Sequence, residues 1–245
     1  MNSFRASLAT SLLVCAFCAF AQAPKREAPK YETKEMHDPT GIGKFYMNRE
    51  IAHVMGYQGA SWLERPERIR EEEPAKLLKA LAVKPGMVVA DIGAGSGYHS
   101  FRLAPLVGDK GKIIASDIQP EMLDIIKKKA KQKKVKNVET VQGTNKDPKL
   151  PEAGVDLIIL VDVYHEFEFP FEMTAKMVDA LKPGGRIAFV EFKAEDEKVA
   201  ILPLHKMSER QVLKELAAFP ELEHQKTHSL RWQHVVMFAK KAEKQ

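Results

Sequence analysis

Four apolar runs recur along the chain: MVVADIG (87–93), KIIASDI (112–118), DLIILVDV (156–163) and RIAFVEF (186–192). None alternates strictly between polar and apolar positions. Each therefore predicts a strand buried on both faces, as in a parallel sheet flanked by helices. Helix-compatible stretches separate the runs. Before the first, PAKLLKAL (74–81) has leucines at helical spacing behind Pro74, a residue suited to a first helical turn. Two strand-like segments, around Leu222–His228 and His234–Ala239, close the chain. This alternation predicts a doubly wound α/β domain over residues 76–241.

The preceding residues read differently. Met1 to Ala23 joins one positive charge (Arg5), an uncharged apolar run from Leu8 to Phe20 and a cluster of alanines. That is the layout of a secretory signal peptide, and the run is too short to span a membrane. We expect a signal peptide at 1–21, cleaved after Ala21, and an exported (periplasmic or secreted) protein with no stable membrane span. Residues 22–40, rich in Pro, Lys and Glu, predict a flexible leader. Residues 41–75 predict a helical N-terminal cap of two short helices, with Tyr46, Arg49 and Trp62 as candidate lid or substrate contacts.

Composition narrows the chemistry. The only cysteines, Cys15 and Cys18, lie in the first twenty residues, so the body has no thiolate metal site, disulfide or cysteine nucleophile. His224, His228 and His234 lack regular ligand spacing, and no metal site is expected. A net charge of +5 is too small to announce a nucleic-acid partner. Seven lysines within 127–136 read as a solvated helix end, where the helix dipole favours cations.

The strongest signal is VVADIGAGSGYHS (88–100), a buried strand running into a glycine-rich turn and then a helix. Glycines let a ligand approach the backbone, and the helix start offers free N–H donors. The spacing is G-x-G-x-G with Tyr98 where a dinucleotide fingerprint needs glycine, so a pyrophosphate clamp is disfavoured. Asp117, twenty residues beyond Gly97 at the end of the next strand, can accept both hydroxyls of a ribose. Asp91 can face an ammonium group. A ligand with a ribose, an amine and no diphosphate is S-adenosylmethionine.

With these residues the chain resembles the class I S-adenosylmethionine-dependent methyltransferases, and its N-terminal segment is similar to exported bacterial methyltransferase-domain proteins. The resemblance implies a Rossmann-like, seven-stranded, mostly parallel sheet. It also implies a cofactor site from Asp91, Gly93, Ala94, Gly95, Gly97, Asp117, Ile118, Gly143, Thr144 and Asp162. Thr144 replaces the aspartate common near the adenine amino group. Ligands of such sheets sit at the carboxyl ends of the strands. That places Tyr164, His165 and Glu166 on the rim as candidate catalytic residues, with His165 as a possible base. His205 reads as structural or at the rim, ahead of a helix capped by Ser208. The expected activity is methyl transfer to a small molecule. A protein or peptide acceptor, and a binding module without turnover, stand as alternatives.

Overall fold

The computed structural model describes residues 26–242. The expected signal peptide lies outside the described residues, among which no helix is long and apolar enough to cross a membrane. The described residues open with strands β1 (Tyr31–Thr33), β2 (Gly41–Tyr46) and β3 (Arg49–Ala52), which form a three-stranded antiparallel sheet. A 3₁₀ segment (Tyr57–Glu64) and helices α1 (Arg68–Glu71) and α2 (Pro74–Leu81) follow. The body runs β4 (Val88–Ile92), α3 (Ser100–Val107), β5 (Lys112–Asp117), α4 (Pro120–Lys133) and β6 (Val138–Gln142). It continues with β7 (Val155–Val161), α5 (Pro170–Ala180), β8 (Leu181–Phe192), α6 (Glu209–Leu216), β9 (Leu222–Ser229) and β10 (Gln233–Lys240).

The last seven strands make one sheet in the order β6-β5-β4-β7-β8-β10-β9, in which β10 alone runs against its neighbours. The expected seven-stranded Rossmann-like sheet is present. Successive residues of the apolar runs feed two different cores. Ala90, Ile92, Ile158, Leu160 and Phe189 pack with Met177 of α5 and Val212 of α6 on one face. Val89, Leu157, Ile159 and Val190 pack with Leu81 of α2 and Leu103 of α3 on the other. That is why no run alternates in polarity: both faces are buried. Strand order reverses between β4 and β7, and a crevice opens at such a switch point.

The N-terminal expectations need two corrections. The cap is not purely helical, because residues 41–52 form a hairpin. Met47 and Asn48 make its two-residue turn with φ of 48° and 69°, the geometry matched to strand twist and one that asparagine tolerates. Nor is the whole leader flexible. Arg26 pairs with Glu221 at 2.7 Å and Asp179 at 2.9 Å. The Tyr31 hydroxyl donates to Glu172 at 2.5 Å, and β1 is laid along β2. Isolated charges in a Pro/Lys/Glu stretch look solvated until their partners, some 150–200 residues away, are known.

Candidate functional site

At the end of β4 the chain turns through Gly93 and Gly95, with φ of +63° and +52°. A Cβ on Gly93 would lie 2.3 Å from a Val163 methyl, and one on Gly95 2.6 Å from Leu63. The loop is thus pressed between the end of β7 and the 3₁₀ segment, and only glycine fits. Beside it, Asp117 ends β5. Its Oδ2 accepts from the Gly95 N–H and its Oδ1 from the Gln119 N–H, both at 2.9 Å. Burial raises the Asp117 pKa against the pull of these backbone donors.

Gly93, Gly95, Asp117, Ile118, Gly143, Thr144 and Asp162 all line one cavity of about 720 Å³. Asp91, Ala94 and Gly97 do not. Asp91 is the informative correction. Strand alternation turns its carboxylate away from the crevice, where it accepts from the Ser100 hydroxyl at 2.6 Å. Burial pushes its pKa up to about 6. Asp162, just after β7 and with a φ of 52°, does bring its carboxylate to the wall. Its Oδ2 accepts from Gln233 at 2.6 Å, while its buried Oδ1 has no protein partner. Burial, with Glu72 and Glu191 nearby, drives its pKa well above the usual carboxylate range. Arg68 also reaches the wall, anchored to Glu72 at 2.6 Å and lying 4.0 Å over the Tyr98 ring.

The N-terminal segment roofs this cavity with Val54, Met55, Trp62 and Leu63. Hydrogen bonds hold it down. The Tyr57 N–H donates to the Gln119 side chain at 2.8 Å, which donates back to the Met55 carbonyl at 3.0 Å. Glu64 accepts from the Ser96 hydroxyl at 2.5 Å and from Lys129 at 2.6 Å. Of the three lid candidates, only Trp62 lines the cavity. Tyr46 is fully buried elsewhere. Arg49, on β3, is engaged by Glu215 of α6 at 2.7 and 3.0 Å and by the His165 carbonyl at 3.1 Å, so it is not free for a ligand.

His165 and Glu166 line the same cavity, joined by His205 from the 3₁₀ turn Pro203–His205. His165 Nδ1 bonds Glu191 at 2.6 Å, and its Nε2 lies 3.2 Å from His205 Nδ1. Glu166 accepts from the Met55 N–H at 3.1 Å. Burial pulls the His165 pKa down, but the Glu191 carboxylate outweighs it and the net shift is upward. Burial lifts Glu166 to about 7, and burial with the neighbouring His165 lowers His205 to about 4. Tyr164 is corrected: fully buried, it packs edge-on against Phe189 and Phe167 and is absent from the cavity wall. Ser208 caps α6 as expected, accepting from the Gln211 N–H at 3.1 Å.

Sequence reading missed Arg68, Glu191 and the contact of His205 with His165. Glu191 did leave a signal, an acidic residue between Val190 and Phe192 in the run RIAFVEF. No metal site was expected, yet ligand atoms of His165, Glu166 and His205 lie within 4.8 Å of one another.

Residues 83–242 match the family model described as a methyltransferase domain. The ubiquinone/menaquinone biosynthesis C-methyltransferase of Shewanella sediminis is 29% identical over 123 residues, 50% of this chain and 49% of that protein. The demethylmenaquinone methyltransferase of Lactococcus lactis is 29% identical over 117 residues, 48% and 46% of the two chains. The chain thus spans about half the length of the curated relatives it matches. A structure of a S-adenosylmethionine-dependent methyltransferase from Aquifex aeolicus superposes with a TM-score of 0.71 at 27% identity, covering 76% of this chain and all of that one.

Proposed function

We propose the reaction of a chain that belongs to the class I S-adenosylmethionine-dependent methyltransferases: transfer of a methyl group to a small, largely apolar acceptor that carries an oxygen. One observation carries this reading. A single roofed cavity is lined both by Gly95 and Asp117 and by His165, Glu166 and His205. We name the first group its donor end and the second its acceptor end.

The residues at the first end fit S-adenosylmethionine. The glycine turn leaves room for a ligand against the backbone, and the Asp117 oxygens, fixed by two backbone N–H groups, can accept from a ribose. The partnerless Asp162 Oδ1 suits the ammonium group of an amino-acid tail. Ile118, Gly143 and Thr144 then flank the adenine. When bound, the cofactor supplies an electrophilic methyl group on a sulfonium.

Trp62, Leu63 and Met55 exclude water above the reacting atoms, and the walls hold the acceptor in line. Such alignment is worth roughly 7–11 kcal/mol in favourable cases. Val54, Phe167, Met173, Phe192 and Leu202 give the acceptor apolar faces. His205 and Glu166 are the polar groups within reach of its oxygen and proton, and His165, gripped by Glu191, positions His205. The relatives named as quinone-pathway methyltransferases support a hydroxylated ring as the acceptor class. The cavity volume lies in the range of small-molecule sites, which favours this over a peptide.

Incubation of bacterial extracts with the protein and isotopically labelled methyl donor, followed by untargeted mass spectrometry, tests the reading. We expect a mass-shifted small molecule that disappears with Asp117→Ala. Labelled protein alone, or no calorimetric binding of S-adenosylmethionine or its demethylated product, overturns it.

A further inference from the structure

The cluster at the acceptor end has a shape that hydrogen bonding alone does not require. His165 Nε2, His205 Nδ1 and Glu166 Oε1 form a triangle with sides of 3.2, 3.6 and 3.9 Å. The point in the plane of the triangle equidistant from its corners lies roughly 2.1 Å from each, so an ion at or just out of that plane keeps about the length of a zinc bond to imidazole nitrogen or carboxylate oxygen. All three residues line the cavity, so the fourth side faces the acceptor chamber.

Two of the three donors are held by a second hydrogen bond, and the third by its backbone. His165 Nδ1 is bonded to the fully buried Glu191 at 2.6 Å, which leaves Nε2 aimed at the triangle. A carboxylate on the far nitrogen of an imidazole is the usual support of a metal-binding histidine. Glu166 is fixed by the Met55 N–H, and His205 by its short 3₁₀ turn between Leu202 and Lys206.

We propose that His165, His205 and Glu166 bind one divalent first-row transition ion of the zinc type, with an open coordination position toward the cavity. Two imidazoles with one carboxylate select such ions over magnesium or calcium, which prefer all-oxygen sites. Two histidines, one carboxylate and a free position form the ligand set of catalytic rather than structural metal centres. The ion holds an oxygen of the acceptor inside the cavity. Only this last role rests on the proposed methyl transfer; binding of the ion does not.

The test uses the full chain, dialysed against chelator. Zinc is titrated calorimetrically, and cobalt by visible absorption, which reports coordination geometry. We expect one ion per chain at about micromolar affinity or tighter. His205→Ala and Glu166→Gln weaken binding by at least roughly 100-fold, and Glu191→Gln by about 10- to 100-fold as a lost outer partner. His224→Ala, on an exposed strand, leaves it unchanged. His205 is part-exposed on a short turn, so His205→Ala serves as the decisive variant should others fail to fold by circular dichroism. No stoichiometric binding, or His205→Ala binding like the wild type, overturns the inference. Titration of the same chelated protein with S-adenosylmethionine separates the two proposals. Donor binding without ion binding sinks this inference alone, and ion binding without donor binding sinks the methyltransferase reading alone.

Discussion

At the donor end of the cavity, Gly93, Gly95 and Asp117 belong to one strand–loop–helix–strand unit, and the Asp117 carboxylate bonds the Gly95 N–H directly. At the acceptor end, Glu166, Glu191 and His205 come from three separate segments, roofed by Met55 from a fourth. The glycine turn and Asp117 are therefore specified by local backbone geometry. The acceptor end exists only once the N-terminal sheet, β8 and the turn before α6 have docked. Two modes of construction should fail in different ways.

The largest expected effect lies in that docking. Arg49 and Glu215 form a nearly dry pair that ties β3 to α6, with Arg49 also holding the His165 carbonyl. Arg49→Ala leaves the fully buried Glu215 without its cation, and breaking such a pair costs about 3–5 kcal/mol. Urea denaturation should show that loss. Calorimetry on the remaining folded protein should give a donor affinity within about threefold of wild type. Donor binding abolished together with unchanged stability would show that the two ends are not separately built.

At the other end, Asp117→Ala should spare most of the stability and remove the donor. The carboxylate offers charge-assisted bonds of about 1.5–3 kcal/mol each, so two lost to a ribose weaken binding by roughly 100- to 10,000-fold. Calorimetric titration with S-adenosylmethionine checks this. A loss below tenfold would mean that the glycine turn, not Asp117, dominates recognition.

The same contrast explains what could be read from the residues alone. The double-wound sheet was legible because every buried strand is a continuous apolar run, and the donor end because Gly93, Gly95 and Asp117 keep a local spacing. Orientation was not. Asp91 and Asp162 each end a buried strand before a turn, and spacing does not reveal which carboxylate faces the cavity. The structure turns Asp91 to Ser100 and leaves Asp162 Oδ1 unpartnered at the wall. The His165–His205 contact was hidden by a separation of forty residues along the chain. The hairpin at 41–52 was hidden because its turn uses Met47 and Asn48 rather than a glycine pair.

Asp91 gives the next, smaller test. Inside the fold its carboxyl keeps a proton up to about pH 6, because burial, with Asp117 close by, opposes the charge. In the unfolded chain it ionises near the ordinary 3.8. The folded state thus binds the extra proton between those values, stability falls as pH rises through that window, and the loss persists above it. Asp91→Asn removes it. The variant should match wild type near pH 4 and exceed it by about 1–3 kcal/mol at pH 7, in denaturation curves at both pH values. Donor affinity should change little, since Asp91 is off the cavity wall. A large loss of affinity would return Asp91 to the role that spacing first suggested.

The smallest effect concerns the roof that joins the two ends. Lys129 reaches from α4 to Glu64 at 2.6 Å, but both side chains are partly exposed, and such pairs are worth about 0.2–1 kcal/mol. Lys129→Ala should therefore speed donor release by no more than about fivefold, and less at high salt, where the pair is already screened. Stopped-flow release of the donor at two ionic strengths measures both. The roof is also held from below, by Gln119 to Tyr57 and Met55 and by Glu166 to the Met55 N–H, and those bonds do not depend on salt. Release accelerated well beyond tenfold would mean that the surface pair, rather than the contacts shared with the donor and acceptor ends, keeps the cavity closed.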